Sequence, residues 1–368
     1  MSKSLFGYVK KTRREKSEFS RILVLRLSSI GDIVLTMPLL KHLAQHFPSA
    51  IIDFVVKKEY ADLMRSNPYI NTLRVVDKKE GWPGLKRLKK EIKAQDYELI
   101  LDVHNNPRTR YLTLFSKATV RRYKKYRLLR FFLINLKYNL YERIIPVHRR
   151  YLNTVAEWVH DVDSDLEFHL DPDAERGVTR FMQSKNFSAQ QKHLALVPGA
   201  GFANKRWPVH YFAELAGKTS SEGWQIWLLG SPTERHLGKE IEKLGDSGAI
   251  NLIGELSLMQ SASVLARMNA IVTNDSGLMH IADALNVPVV AIFGPTTREL
   301  GFYPVSPNSR VVEHEQMPCR PCTHMGADSC PKDHFRCMLE LTSDVITDKV
   351  SELKNIGHFY ATTGTRSG

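Results

Sequence analysis

The sequence predicts an α/β protein made of two doubly wound, parallel-sheet halves. Three observations carry the prediction. Short β-branched runs alternate with amphipathic stretches through most of the chain. The alternation occurs twice, on either side of a polar stretch at Leu170–Lys192. The length, 368 residues of which 43% are apolar, suits two cores of ordinary size.

In the first half, Ile22–Leu27 reads as a strand. Pro38–Phe47 reads as a helix, with Leu39, Leu40, Leu43, Ala44 and Phe47 at helical spacing, Thr36 at its start and Pro38 in its first turn. Ile51–Val56 is a second strand, Glu59–Ser66 a short helix and Thr72–Val76 a third strand. Leu85–Ala94 is a basic helix and Leu99–Val103 a fourth strand. Strands alternating with helices argue for a parallel sheet covered on both faces. In the second half, the strand Leu194–Val197 enters a Gly-rich loop, and Val209–Lys218 is a helix. The strand Gln225–Leu229 and the helix Glu234–Leu244 follow. After a strand at Ile250–Ile253, Ser257 caps a helix running to about Met268. Ala270–Thr273, Gly277–Leu285 and Val287–Phe293 complete the series as strand, helix and strand. The expected division is a basic extension (1–20), a first half (21–180), a second half (190–350) and a tail (351–368). DPDAE and FSAQQK read as polar, solvated chain at the boundary.

The charge is localised. The net charge is +13, and residues 1–20 hold six Lys/Arg against two Glu while residues 121–150 hold ten against one. Those two segments contain the whole excess, which suits a docking surface for an anionic partner or a solvated basic face. Segment 121–150 also interleaves Tyr123, Tyr126, Phe131, Phe132 and Tyr138 with its cations. That mixture fits an anionic membrane surface, a single nucleic-acid strand, or a core helix with basic flanks. No run is long enough to span a bilayer, and the basic N-terminus lacks the apolar core of a secretory signal. A reducing, cytoplasmic compartment is the expectation.

In doubly wound sheets, ligands bind beyond the carboxyl ends of the strands. The turn Ser28-Ser29-Ile30-Gly31-Asp32 follows the first strand directly. Asp32 there either takes a proton from a substrate hydroxyl or only caps the next helix. The loop PGAGFANKRWP exposes backbone N–H groups, and Lys205 within it reaches a phosphate or stands as a surface lysine. In IVTNDSGLMHIADAL a strand runs into Asn274-Asp275-Ser276-Gly277 and a helix opens. Its free N–H groups suit a diphosphate, and His280 lies one turn on. Cys319, Cys322, Cys330 and Cys337 are spaced C-x2-C-x7-C-x6-C, which leaves a structural metal, disulfides or free thiols open. DVDSD at 161–165 reads as a solvated acidic turn.

Together these segments resemble glycosyltransferase family nine, the heptosyltransferases of the lipopolysaccharide inner core. The resemblance covers about residues 20–350. It rests on RILVLRLSSIGDIVLTMPLL, PGAGFANKRWPVHYFAEL, VTNDSGLMHIADALNVPVVAIFG followed by PT, and the CRPC…C…C cluster. It implies a GT-B fold, two Rossmann-like domains facing a central cleft, with the acceptor in the first and ADP-heptose in the second. It implies that Asp32 is the general base and that Lys205 contacts the donor diphosphate. Asp275, Ser276, Gly277 and His280 would then stand beside the phosphates and heptose, Glu234 at the ribose and Leu256 against the adenine. Relatives often carry Thr-Thr where this chain has Ala200 and Gly201, so backbone N–H groups would replace hydroxyls there.

On this reading the reaction is an inverting transfer to an anionic lipopolysaccharide precursor, with no cofactor required. Arg121, Arg122, Lys124, Lys125, Arg127 and Arg130 would meet the acceptor or the membrane. The enzyme would sit peripherally on the cytoplasmic face of the inner membrane of a Gram-negative-type bacterium. A GT-B transferase or epimerase for another nucleotide-sugar is the nearest alternative. Nucleic-acid binding is not expected, because it leaves the Asp32, Lys205 and Asp275 loops without a purpose.

Overall fold

The computed structural model describes residues 18–353 except 161, 162, 164, 186 and 189. Most of the basic extension, the tail beyond 353 and three of the five DVDSD residues lie outside the described residues. Two parallel sheets form the frame. In the first half, β1 (Arg21–Leu25), β2 (Ile51–Lys57), β3 (Thr72–Val76), β4 (Leu99–Asp102) and β5 (Thr119–Arg122) lie in the order β3-β2-β1-β4-β5. In the second, β6 (Lys192–Val197), β7 (Trp224–Leu228), β8 (Ile250–Asn251), β9 (Ala270–Asn274), β10 (Val289–Phe293) and β11 (Arg310–Glu313) lie in the order β11-β10-β9-β6-β7-β8. Both orders reverse beside the first strand of their half. That places β1 next to β4 and β6 next to β9 at the switch points where such sheets bind ligands.

The central strands are continuous apolar runs because helices cover both faces. Ile22, Leu23, Val24 and Leu25 of β1 and Ala270, Ile271 and Val272 of β9 are fully buried. One apolar cluster is continuous through both halves. It includes Ile33 and Met37 on one side and Met279 and Ile281 on the other. Helix Ile30–Val34 packs on helix Gly277–Ala284, so the halves touch where β1 and β9 end.

The structure differs from the sequence expectation at three places. The boundary stretch is largely ordered: Pro172–Ser184 is a helix, capped by Asp171 accepting from the Ala174 N–H at 2.8 Å. Its Val178 and Met182 are buried, and it packs on helix Leu258–Leu265. Its charged outer face makes the segment look solvated in sequence. Segment 121–150 begins as the end of β5, paired to β4 with Thr119 opposite Leu99. It continues as helix Arg127–Phe131 and a wide turn at Phe132–Leu136. Only Leu133 of these is buried, which excludes a core helix. Finally, β11 and helix Ser343–Leu353 extend the second half.

Candidate active site

β1 delivers the first side chains. The chain leaves it through Arg26 and Leu27, and Ser29 starts helix Ile30–Val34 with Asp32 in its first turn. Ser29 Oγ and N–H donate to Asp32 Oδ2 at 3.0 and 3.4 Å. Asp32 therefore does cap its helix, but that is not its whole environment. Arg26 Nη2 lies 2.6 Å from Asp32 Oδ2, and the Tyr151 hydroxyl donates to Oδ1 at 3.0 Å. Arg26 is itself fixed, donating to the Ser28 and Val103 carbonyls at 2.8 and 2.6 Å. Burial opposes the charge on Asp32. The Arg26 guanidinium and the Ser29 and Tyr151 donors outweigh it and hold the carboxyl below its ordinary value.

Two loops of the second half are clamped together by Asn274 at the end of β9. Its side chain accepts from the Trp207 N–H at 2.9 Å and donates to the Pro198 carbonyl at 2.8 Å. This brings Lys205 to Asp275, Nζ to Oδ2, at 2.6 Å, while Thr296 Oγ1 donates to the same oxygen at 2.9 Å. Ser276 caps helix Gly277–Ala284 by accepting from the Met279 N–H at 3.4 Å. Glu234 accepts from Ser231 N–H and Oγ, each at 2.7 Å, and its carboxylate lies against Gly199. A Cβ at Gly199 would fall 2.0 Å from Glu234 Oε1, so a larger residue there would displace that carboxylate. Ala200 is buried, its carbonyl accepting from Arg206 Nε at 3.0 Å; Gly201 is exposed, and Leu256 is partly buried against the core.

The halves meet at His280. A Cβ on Gly31 would lie 2.3 Å from His280 Cδ2, and one on Gly277 would lie 2.8 Å from Ile30 Cβ. Burial lowers the His280 pKa, although Asp275, Asp283 and Asp32 all favour its charge, and Lys205 opposes it. That single imidazole thus feels Asp32 from one half and Asp275 and Lys205 from the other. Two further histidines are neutral here. Burial and Arg26 push His104 down to about 3, and burial and Arg149 push His148 down to about 4. The Nδ1 atoms of His104, His148 and His280 are buried without a hydrogen-bond partner.

The basic residues divide. Arg121 pairs with Glu157 at 2.5 Å and lies over Trp158 at 5.2 Å; Arg122 reaches Thr113 Oγ1 at 2.7 Å and Asp102 at 3.4 Å. Both are engaged within their own half. Lys125 turns towards the Asp32 region: burial, Arg26, Arg127 and Arg130 lower it to about 8. Burial, and after it Arg130, Lys125 and Lys205, lower the His324 pKa, so the two halves present cations to one another here. Lys124 and Arg127 are exposed.

The four cysteines are free thiols. Burial and the neighbouring Cys319 and Cys337 push Cys322 up to about 12, and burial takes Cys337 to about 11. Cys319 Sγ lies 3.7 Å from His334 Nε2, yet among the described residues no group of three or more His, Cys, Asp or Glu side chains is arranged for a metal ion. The cluster contributes through Arg320 instead. Its guanidinium donates to the His314 and Thr296 carbonyls at 2.7 and 2.9 Å and to the Gly294 carbonyl, pairs with Glu313, and so holds the loop that carries Thr296 to Asp275. An open groove of about 450 Å3 lies elsewhere, lined by Glu59, Asp62, Arg65, Asp173, Ser257 and Gln260, and includes none of these site residues.

Sequence reasoning missed Arg26, His104, Tyr151, Asn274 and Arg320. A lone arginine at the end of the apolar ILVL run was the visible signal for Arg26. Tyr151 and His104 carry none, because only the folded chain brings them beside Asp32.

Two doubly wound sheets whose strand ends meet around an acid, a lysine and an imidazole have the architecture of the GT-B class. The chain matches glycosyltransferase family 9 (heptosyltransferase) over residues 85–332, and it belongs to that family. It is 28% identical over 335 residues to lipopolysaccharide heptosyltransferase 1 of Pseudomonas aeruginosa, covering 87% of this chain and 91% of that protein. The solved family 9 glycosyltransferase of Veillonella parvula superposes with a TM-score of 0.76 at 23% identity, covering 91% of this chain and 97% of that one. Escherichia coli heptosyltransferase WaaC, solved with ADP-2-deoxy-2-fluoro heptose, superposes with a TM-score of 0.62 at 21% identity, covering 90% of this chain and 99% of that one.

Proposed function

We propose that the protein transfers a heptose from ADP-heptose to the inner core of a lipopolysaccharide precursor, with Asp32 as general base. The observation that carries this reading is the convergence on His280 of Asp32 from one half and Lys205 with Asp275 from the other. The lipopolysaccharide heptosyltransferase of P. aeruginosa and the WaaC complex with an ADP-heptose analogue support the substrate class.

The reaction is a single displacement. The acceptor oxygen forms its bond to the anomeric carbon as the bond to the diphosphate oxygen breaks, so the configuration inverts and ADP leaves. Asp32 is held ionised and accepts the hydroxyl proton as the acceptor oxygen becomes acidic in the transition state. Tyr151 and Arg26 aim its two oxygens. Lys205, which rests on Asp275, stabilises the negative charge that develops on the departing diphosphate, and the N–H groups opening helix Gly277–Ala284 add to that stabilisation. Ser276 and Gly277 border that anion, while Asp275 and neutral His280 face the sugar. Glu234 takes the ribose hydroxyls, Leu256 lies against the adenine, and backbone N–H groups at Ala200 and Gly201 meet phosphate oxygens. Lys125, Lys124, Arg127 and Arg130 meet the anionic acceptor. No cofactor is needed for this chemistry.

The acceptor is anchored in the cytoplasmic leaflet of the inner membrane of a Gram-negative-type bacterium, and the enzyme works there peripherally. No helix among the described residues is long and apolar enough to cross a membrane. The test is mass spectrometry of products after ADP-heptose is supplied with a panel of truncated core acceptors. One heptose added to one acceptor is expected. Transfer from another nucleotide-sugar, with none from ADP-heptose, would overturn the reading.

A further inference from the structure

We propose that residues 127–140 are a membrane wedge. It would seat the protein on an anionic bilayer, with Leu128, Phe131, Leu136, Tyr138 and Leu140 entering the headgroup layer. The partner class rests on the reading above, in which the acceptor is lipid-anchored; the surface itself rests on the following observations. Leu128 is 68% exposed, Phe131 53%, Leu136 50%, Tyr138 66% and Leu140 49%. Among the described residues no other stretch of this length exposes so many large apolar side chains. Large apolar side chains left exposed this densely along one segment mark an interaction surface.

The patch is built, not frayed. Leu133 is buried and pins the wide turn to the protein. Lys137 reaches into the second half, Nζ donating to the Cys319 and Pro321 carbonyls at 2.9 and 2.7 Å. Asn139 donates to Glu299 Oε1 at 3.1 Å. The segment therefore bridges both halves through Lys137 and Asn139, while its large apolar side chains are left exposed.

Charge selects the occupant. Around the apolar residues, Lys124, Arg127 and Arg143 have no ion-pair partner among the described residues, and Glu142 is the one acid in segment 121–150. Exposed apolar side chains flanked along the chain by unpaired cations match the interfacial layer of an anionic membrane. A second copy of this chain would have to place these cations against themselves. Continuity with the site gives the surface a use. Tyr123, five residues before Leu128, packs edge-on against Tyr151 with ring centroids 5.0 Å apart, and the Tyr151 hydroxyl donates to Asp32 at 3.0 Å. Docking by this wedge would hold the membrane at the mouth of the Asp32 site, so an acceptor sugar enters while its acyl chains stay in the bilayer.

The experiment compares the full chain with a Leu128→Ser/Phe131→Ser variant. Both positions are exposed and outside the reaction machinery, so folding is expected to survive. The readouts are co-sedimentation with phosphatidylglycerol–phosphatidylcholine vesicles and with pure phosphatidylcholine vesicles, at low and high salt, and turnover on a soluble delipidated acceptor. The expected result is binding of the wild type to the anionic vesicles, weakened by salt, with the variant at least about tenfold weaker. Turnover on the soluble acceptor should stay within about twofold, because ΔΔG‡ is set at the Asp32 site. Equal vesicle binding by both proteins, or no binding of the wild type at low salt, overturns the wedge. So does a wild-type dimer in sedimentation velocity that the variant abolishes. Failure of both proteins to turn over the soluble acceptor would fault the reaction assignment alone, and the vesicle comparison would still decide the docking surface.

Discussion

Replacing Tyr151 with Phe probes how the base is held. The substitution removes one hydroxyl, the donor to Asp32 Oδ1 at 3.0 Å. The ring remains, and with it the edge contact to Tyr123 (centroids 5.0 Å apart, 82° between planes) and the position under the Arg26 guanidinium at 5.6 Å. A hydrogen bond to a charged group contributes about 1.5–3 kcal/mol. One pKa unit corresponds to about 1.4 kcal/mol. Arg26 and Ser29 still favour the ionised carboxylate, so the loss is expected at the lower end of that range, and the Asp32 pKa rises. The sign is definite. Asp32 sits below its ordinary value in the folded protein, and losing a donor to its anion moves it upward. The assay is the pH dependence of kcat/KM, whose acid limb reports the free enzyme's essential base. The limb should move to higher pH, with a larger loss of rate at pH 5 than at pH 8. A uniform loss of rate with the acid limb unmoved would mean that Tyr151 merely supports the fold, and would refute the coupling argued here.

Three further outcomes are expected. Lys205→Ala should lower kcat by about 10²–10³, the usual cost of losing one group that stabilises developing negative charge. Lys205→Arg should recover part of it in the same steady-state assay. Gly31→Ala places a Cβ 2.3 Å from the His280 ring, so the ring or the helix contact must give way; a stability loss of about 1–3 kcal/mol by urea denaturation is expected. Protein stability should also fall as the pH drops below about 6.5, because His104 and His148 are held neutral, at about 3 and about 4. The unfolded chain takes up their protons first, which costs up to about 2 kcal/mol each at pH 5. His104→Gln should flatten the denaturation midpoint between pH 7 and pH 5; an unchanged slope would deny His104 that part.

The strands around the site were legible because each is a short apolar run closed by a turn with chemistry in it. ILVL ends at the Asp32 turn, LALV at the Lys205 loop and AIVT at Asp275. Helix Pro172–Ser184 was illegible because its buried side is narrow, resting on Val178 and Met182, while Asp173, Glu175, Arg176 and Arg180 make it look solvated. The site residues named from sequence were those beside glycine turns. Those supplied from a distance were not: Tyr151 lies 119 positions from Asp32, and the Thr296 that holds Asp275 depends on Arg320, 24 positions further on. Partners supplied by the fold were also illegible at Arg121 and Arg122, where Glu157, Trp158, Thr113 and Asp102 engage side chains that in sequence read only as part of a basic run.

The account stands on Asp32 accepting the acceptor proton, and Asp32→Asn with ADP-heptose and its acceptor tests that step alone. Turnover should fall by about 10²–10⁴, the contribution of a positioned general base. ADP affinity by titration calorimetry should be retained, because Lys205, Glu234 and the Gly277 helix start lie in the other half. Near-normal turnover by Asp32→Asn would contradict the account.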